Sequence, residues 1–131
     1  HLAGQLSTNA GAIDVSNARG SVYLGNDHTS LSIQTTTGDV SVTANGVFDV
    51  SLSPENQVGD IRMSAGSGID SGTGRINLDA GVGLYFSNLK TSSTNRNAVS
   101  LRAFDVVDNV GGKNDAADIT LRDSGGLSIK K

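Results

Sequence analysis

One three-residue pattern recurs along the chain and limits what it can fold into: an apolar residue, a polar one, then a second apolar one. It appears as Ile13-Asp14-Val15, Val40-Ser41-Val42, Ile61-Arg62-Met63, Ile76-Asn77-Leu78, Val99-Ser100-Leu101 and Ile119-Thr120-Leu121. Alternation with period two marks a strand that buries one face. Each triplet also opens on a β-branched residue, which suits a pleated, half-buried surface. The triplets recur at uneven steps, the widest from Ile13 to Val40 and the narrowest from Ile61 to Ile76.

A second strand follows each triplet at a nearly fixed offset. Ile61 leads to Ile69, Ile76 to Leu84 and Ile119 to Leu127, each eight positions on. Val40 to Phe48 and Val99 to Val107 fit the same offset, and Ile13 to Val22 is nine. Small residues fill the corners between, as in Ala44-Asn45-Gly46, Ala65-Gly66-Ser67-Gly68 and Ala80-Gly81. Leu31-Ser32-Ile33 and Leu89 are additional strand-like pieces outside that two-strand unit.

Two architectures supply short strands this closely spaced: an antiparallel β-sandwich with hairpin turns, and a β-solenoid in which like strands stack in parallel. A solenoid requires matching residues from coil to coil, because each inward side chain packs on its counterparts above and below. Ile13, Val40, Ile61, Ile76, Val99 and Ile119 make one such ladder, and Val15, Val42, Met63, Leu78, Leu101 and Leu121 the next. The expected fold is therefore all-β, a parallel β-helix (β-solenoid) of about six coils with a mean repeat of about 21 residues. Residues 1–131 form a single β-solenoid segment, expected to be excised from a larger repetitive protein. Its strand edges at the two ends invite association with further coils.

Composition agrees with a thin core. Apolar residues are 36% of the 131, aromatics 4%, and there are 17 glycines and one proline. A net charge of −3, with no basic stripe, argues against nucleic acid. No apolar run reaches membrane-spanning length, so membrane insertion is not expected. With no cysteine, disulfides and thiolate metal sites are excluded.

Candidate chemistry is sparse. His28, beside Asp27 in a polar loop, is the only internal histidine and is expected to be solvated. The triplets' outward residues are Asp14, Ser41, Arg62, Asn77, Ser100 and Thr120. That row is too mixed and mild for the clustered acids of a glycosidase, and no enzyme is expected. Asp39, Asp60 and Asp118 each precede a strand, where aspartate caps corners, and Arg75 is expected to sit next to Asp60. Gly111-Gly112-Lys113-Asn114-Asp115 is a broken copy of a calcium-binding nonapeptide. With Asp108, Asp115 and Asp118 it supplies hard oxygen ligands, so an adventitious calcium ion is the single cofactor considered. Tyr23 and Tyr85 are outward residues of second strands and candidate glycan contacts. Three coils are expected to separate them, roughly 14 Å at the spacing between strands. Phe104 is assigned to core or inter-coil packing.

The phrases Gly59-Asp60-Ile61-Arg62-Met63-Ser64-Ala65-Gly66-Ser67-Gly68-Ile69 and Gly74-Arg75-Ile76-Asn77-Leu78-Asp79-Ala80-Gly81-Val82-Gly83-Leu84 resemble the repeats of filamentous-haemagglutinin-like proteins, exported by bacteria through two-partner secretion. They are also similar to glycine-aspartate-valine repeats of other bacterial adhesins. The resemblance spans residues 11 to 129 and brings no catalytic residues. It implies a right-handed β-helix, secreted or displayed on the bacterial cell surface, that serves as a shaft or adhesive segment. Its partners would be a glycan or protein on a host or neighbouring cell, or other segments of the same exoprotein. The rival expectations are a carbohydrate-binding or polysaccharide-degrading β-helix and a compact β-sandwich binding module.

Overall fold

The computed structural model describes residues 1–26, 28–53, 56–107, 119–120 and 127–130. Its strands fall into successive groups of three. The first group is β1 (Gly4–Thr8), β2 (Ile13–Asn17) and β3 (Val22–Leu24). The second is β4 (Leu31–Thr35), β5 (Val40–Ala44) and β6 (Ile61–Met63), and the third β7 (Gly68–Asp70), β8 (Ile76–Ala80) and β9 (Gly83–Tyr85). β10 (Asn88–Lys90), β11 (Val99–Arg102) and β12 (Asp105–Val107) follow, then β13 (Ile119–Thr120) and β14 (Leu127–Lys130).

Every pairing between these strands is parallel. β1, β4, β7, β10 and β13 make the first sheet; β2, β5, β8, β11 and β14 the second; β3, β6, β9 and β12 the third. Consecutive strands from β1 to β12 visit the three sheets in turn, so the chain winds as a three-sided solenoid. Hairpins would pair neighbours in antiparallel fashion, and the sandwich alternative is thereby removed.

A turn takes three strands rather than two, which corrects the expected coil. The fourteen described strands make four turns and two-thirds of a fifth, in place of six two-strand coils. The ladder on the second sheet runs Ile13, Val40, Ile76, Val99 and Leu127. Ile61 stands instead on the third sheet between Val22 and Leu84, and Ile119 on the first beside Leu89. Leu121 lies outside the described residues. The physical reason is that all three faces bury alternate residues against one shared interior, so the local pattern does not say which face it belongs to. The pieces Leu31-Ser32-Ile33 and Leu89 are the missing third side, in β4 and β10. Coil length is not fixed either. Ile13 pairs with Val40, Val40 with Ile76 and Ile76 with Val99, and the middle step of the three takes the most chain.

The interior is a stack of aliphatic layers. Leu31, Ile33 and Ile69 come from the first sheet, Val40, Val42, Ile76, Leu78, Val99 and Leu101 from the second, and Leu24, Ile61, Met63 and Leu84 from the third, all buried. Each such side chain contributes about 1.5–3 kcal/mol by leaving water. At the β1 end the layer is open: Leu6 is 38% exposed, and among the described residues β1 and β2 each have a neighbouring strand on one side only.

Corners set how closely coils approach. At the corner between the first and second sheets, a Cβ on Gly38 would run into the Gly11 carbonyl, and one on Gly74 into that of Gly38. Backbone thus lies on backbone there, and only glycine fits. The same corner buries hydroxyls that satisfy its carbonyls. Ser71 Oγ donates to Gly74 O at 2.7 Å and Thr91 Oγ1 to the same oxygen at 2.6 Å. Unmet, such a carbonyl would carry a desolvation cost of about 1–3 kcal/mol.

Candidate functional site

Strand alternation turns Val22, Leu24, Ile61 and Met63 inward and leaves Tyr23, Arg62 and Tyr85 on the outer surface of the third sheet. Register places Tyr23 opposite Arg62 and Arg62 opposite Tyr85. The tyrosines are therefore two strand spacings apart, roughly 9.6 Å, with a cation between them. The expected separation of three coils fails because each three-strand turn contributes one strand to this sheet.

The Arg62 guanidinium carbon lies 4.3 Å from the Tyr85 ring centroid, within cation–π range. The guanidinium also donates to Asp60 Oδ2 from Nε at 2.9 Å and from Nη2 at 2.7 Å. Asp60 Oδ1 accepts from the Gly83 N–H at 2.8 Å, which accounts for a carboxylate whose side chain is only 4% exposed. Burial works against the charge on Arg62, yet the hydrogen bonds and charge of Asp60, then the tyrosines, raise its pKa above the ordinary arginine value. Gly83 also leaves room for the ring, since a Cβ there would sit 2.7 Å from Tyr85 Cε2. At the other end of the row His1 stacks on Tyr23, centroids 4.5 Å apart and planes 12° from parallel. One face of each tyrosine ring is thus covered, by His1 or by Arg62.

Other surface charges pair along the ladders. Arg75 meets Asp39, its neighbour across the corner, with a backbone N–H···Oδ1 bond of 2.7 Å and an ion pair of 3.2 Å. The expected partner Asp60 belongs to a different corner, next to Arg62. Lys90 pairs with Asp70 at 3.7 Å and Arg102 with Asp79 at 3.8 Å, each with its register partner. His28 is exposed, and its backbone N–H donates to Asn26 Oδ1 at 2.8 Å. Asp27 lies outside the described residues, as do Asp108, Asp115 and Asp118, the candidate calcium ligands. Among the described residues no group of three His, Cys, Asp or Glu comes together.

A second feature lies where the second sheet turns into the third. Between β8 and β9 the chain turns this corner in two residues, Gly81 and Val82; between β5 and β6 it takes residues 45–60. That excursion leaves and returns through Gly46 and Gly59, so close that a Cβ on Gly59 would be 2.7 Å from Gly46 Cα. Gln57, buried at its base, fastens it. The Asp49 N–H donates to Gln57 Oε1 at 2.9 Å, and Gln57 Nε2 donates to the carbonyls of Asp49 at 2.6 Å and Leu52 at 3.1 Å. Asp49 Oδ1 accepts from the Ser51 hydroxyl at 2.6 Å and N–H at 2.9 Å, which holds the Asp49 carboxyl below the usual range.

The excursion carries Phe48 out of the ladder. Its ring stacks on Phe104, which follows β11, with centroids 4.5 Å apart and planes 7° from parallel. Phe104 is 61% exposed rather than part of the core, and Phe48 is not a strand residue. Phe48 departs because the excursion carries it off the ladder and Ile61 supplies the third-sheet strand, and Phe104 because the alternation that buries Val99, Leu101 and Ala103 turns it outward. The two rings, with Val47 and Ala80, line an open cleft of about 580 Å³ whose rim includes Asp79 and Arg102. Sequence reading missed this cleft because an exposed phenylalanine and a buried one look alike in an apolar pattern. The late arrival of Ile61 after Val40, where a corner needs only a few residues, was the available signal.

No protein-family model, curated protein or solved structure matches this chain.

Proposed function

We propose that this chain is a structural shaft or adhesive segment of a large secreted or cell-surface bacterial adhesin. The observation that carries this reading is the continuous parallel ladder of the second sheet, five strands in register from β2 to β14. Such a ladder transmits load and spacing from coil to coil without needing a reactive centre. The partly exposed tyrosines of the third sheet support surface contact, with a glycan or protein on a host or neighbouring cell as the partner.

Display of the chain on otherwise non-adherent bacterial cells tests the proposal. In single copy, adhesion predicts retention on an epithelial monolayer several-fold above undisplaying cells. In tandem copies, a shaft predicts that a tip-mounted reporter becomes more accessible to antibody as copies are added. Neither effect appearing would refute both roles.

A further inference from the structure

The Phe48–Phe104 cleft divides its chemistry in a way that the shaft role does not use. Its apolar part is a stacked pair of nearly parallel rings, one of them 61% exposed, with the small side chain of Ala80 lining the cleft beside them. Its polar part is a carboxylate and a guanidinium 3.8 Å apart, both more than half exposed. We propose that this cleft binds one pyranose ring of a neutral glycan, stacked on Phe104 and hydrogen-bonded at its rim by Asp79 and Arg102.

Three features select that ligand class. Phe104 is stacked on Phe48 yet remains 61% exposed, so it still offers apolar ring surface, and a pyranose presents a patch of C–H bonds that matches it. A purely apolar occupant, such as an aliphatic side chain, would strip water from Asp79 and Arg102 and give nothing back, which is costly for charged groups. Sugar hydroxyls donate to the carboxylate and accept from the guanidinium at once. The ion pair is itself neutral, so the rim favours no net charge in the ligand. A volume of about 580 Å³ lies within the range of small-ligand sites and exceeds one sugar ring, leaving room for its neighbours in a chain.

The inference rests on the adhesive reading and deepens it by naming what the surface holds, and the test separates the two. Saturation-transfer NMR is run on the full chain with methyl gluco-, galacto- and mannopyranosides and with cellotetraose and mannotetraose as probes. The expected result is transfer to ring C–H protons of at least one probe. Phe104→Ala should reduce it at least tenfold, Asp79→Asn or Arg102→Gln several-fold, while Lys90→Gln, on the first sheet, leaves it unchanged. Phe104→Leu keeps the apolar bulk without the flat ring and should lose the signal too, with an unaltered melting curve. Absence of transfer from every probe overturns the site, as does transfer undiminished in a folded Phe104→Leu chain. Binding of an aliphatic detergent monomer that is indifferent to Asp79→Asn, with no sugar signal, overturns it in favour of a plain apolar patch. Cell retention without pyranoside binding sinks this site and leaves adhesion standing; pyranoside binding without retention does the reverse.

Discussion

The same corner is turned twice in adjacent coils, in two residues after β8 and in sixteen after β5. The short version belongs to the ladder. Gly81 lies against Gly46 with no room for a side chain, and Ala80 and Leu84 on either side are buried. The long version leaves through a neck of two glycines and exposes Val47, Val50 and Val58 to solvent. Yet β5 and β6 pair with the next coil in the same parallel register as their neighbours. Coil and excursion are therefore separable: the solenoid is specified by its inward layers and its pinched corners, not by a constant repeat length.

The largest effect that could break this contrast is a buried charge. Ile76 is fully buried and paired on both sides, so Ile76→Asp places an unpartnered carboxyl in the middle layer and should cost about 4–5 kcal/mol or more. Val50→Asp, at a residue 88% exposed on the excursion, should stay within about 0.5 kcal/mol. Urea unfolding measures both, and similar midpoints for the two variants would show that the inward face is wrongly assigned.

The neck gives an intermediate effect. Gly59 has φ of +111° and touches Gly46, so Gly59→Ala combines left-handed strain with a backbone clash and should cost about 2–4 kcal/mol. Gly68→Ala meets its nearest neighbour, the Asn88 carbonyl, at an ordinary 3.5 Å and should be close to neutral. Thermal melts that rank these two the other way would mean that the excursion is not held by its neck.

The smallest effect is confined to the excursion. Because Asp49 has a lowered folded pKa, the turn it makes with Ser51 is fully supported above the unfolded carboxylate value of about 4. The support fades as pH falls through the lower, folded value. The Ser51 amide resonance should therefore move at pH below about 4, with strand amides of β8 unaffected. Concerted movement of both sets would tie the excursion to the ladder after all.

Strand identity, parallel stacking and the inward residues of β2, β5, β8 and β11 were legible because alternation and matching hydrophobicity are local properties. The number of sides was not. Ile61-Arg62-Met63 has the same form as Ile76-Asn77-Leu78, and only pairing with Val22 and Leu84 shows that it stands on another face. The distance between Tyr23 and Tyr85 depends on that count, and so came out too long. Phe48 and Phe104 were misplaced for other reasons. Phe48 leaves the ladder through a glycine neck that brings residues 46 and 59 together, whereas Phe104 is turned outward by the alternation that buries Val99, Leu101 and Ala103.

The direction of the ladder has a mechanical consequence. The coil that leads from Ile76 to its register partner Val99 advances the stack by roughly 4.8 Å. Drawn straight, the same stretch of chain spans roughly 80 Å. Tension applied along the axis passes through every coil and acts parallel to the interstrand hydrogen bonds, and an end coil, held from one side only, opens first. A tether of this kind yields in steps, releasing more than ten times its folded length while the coils behind remain wound.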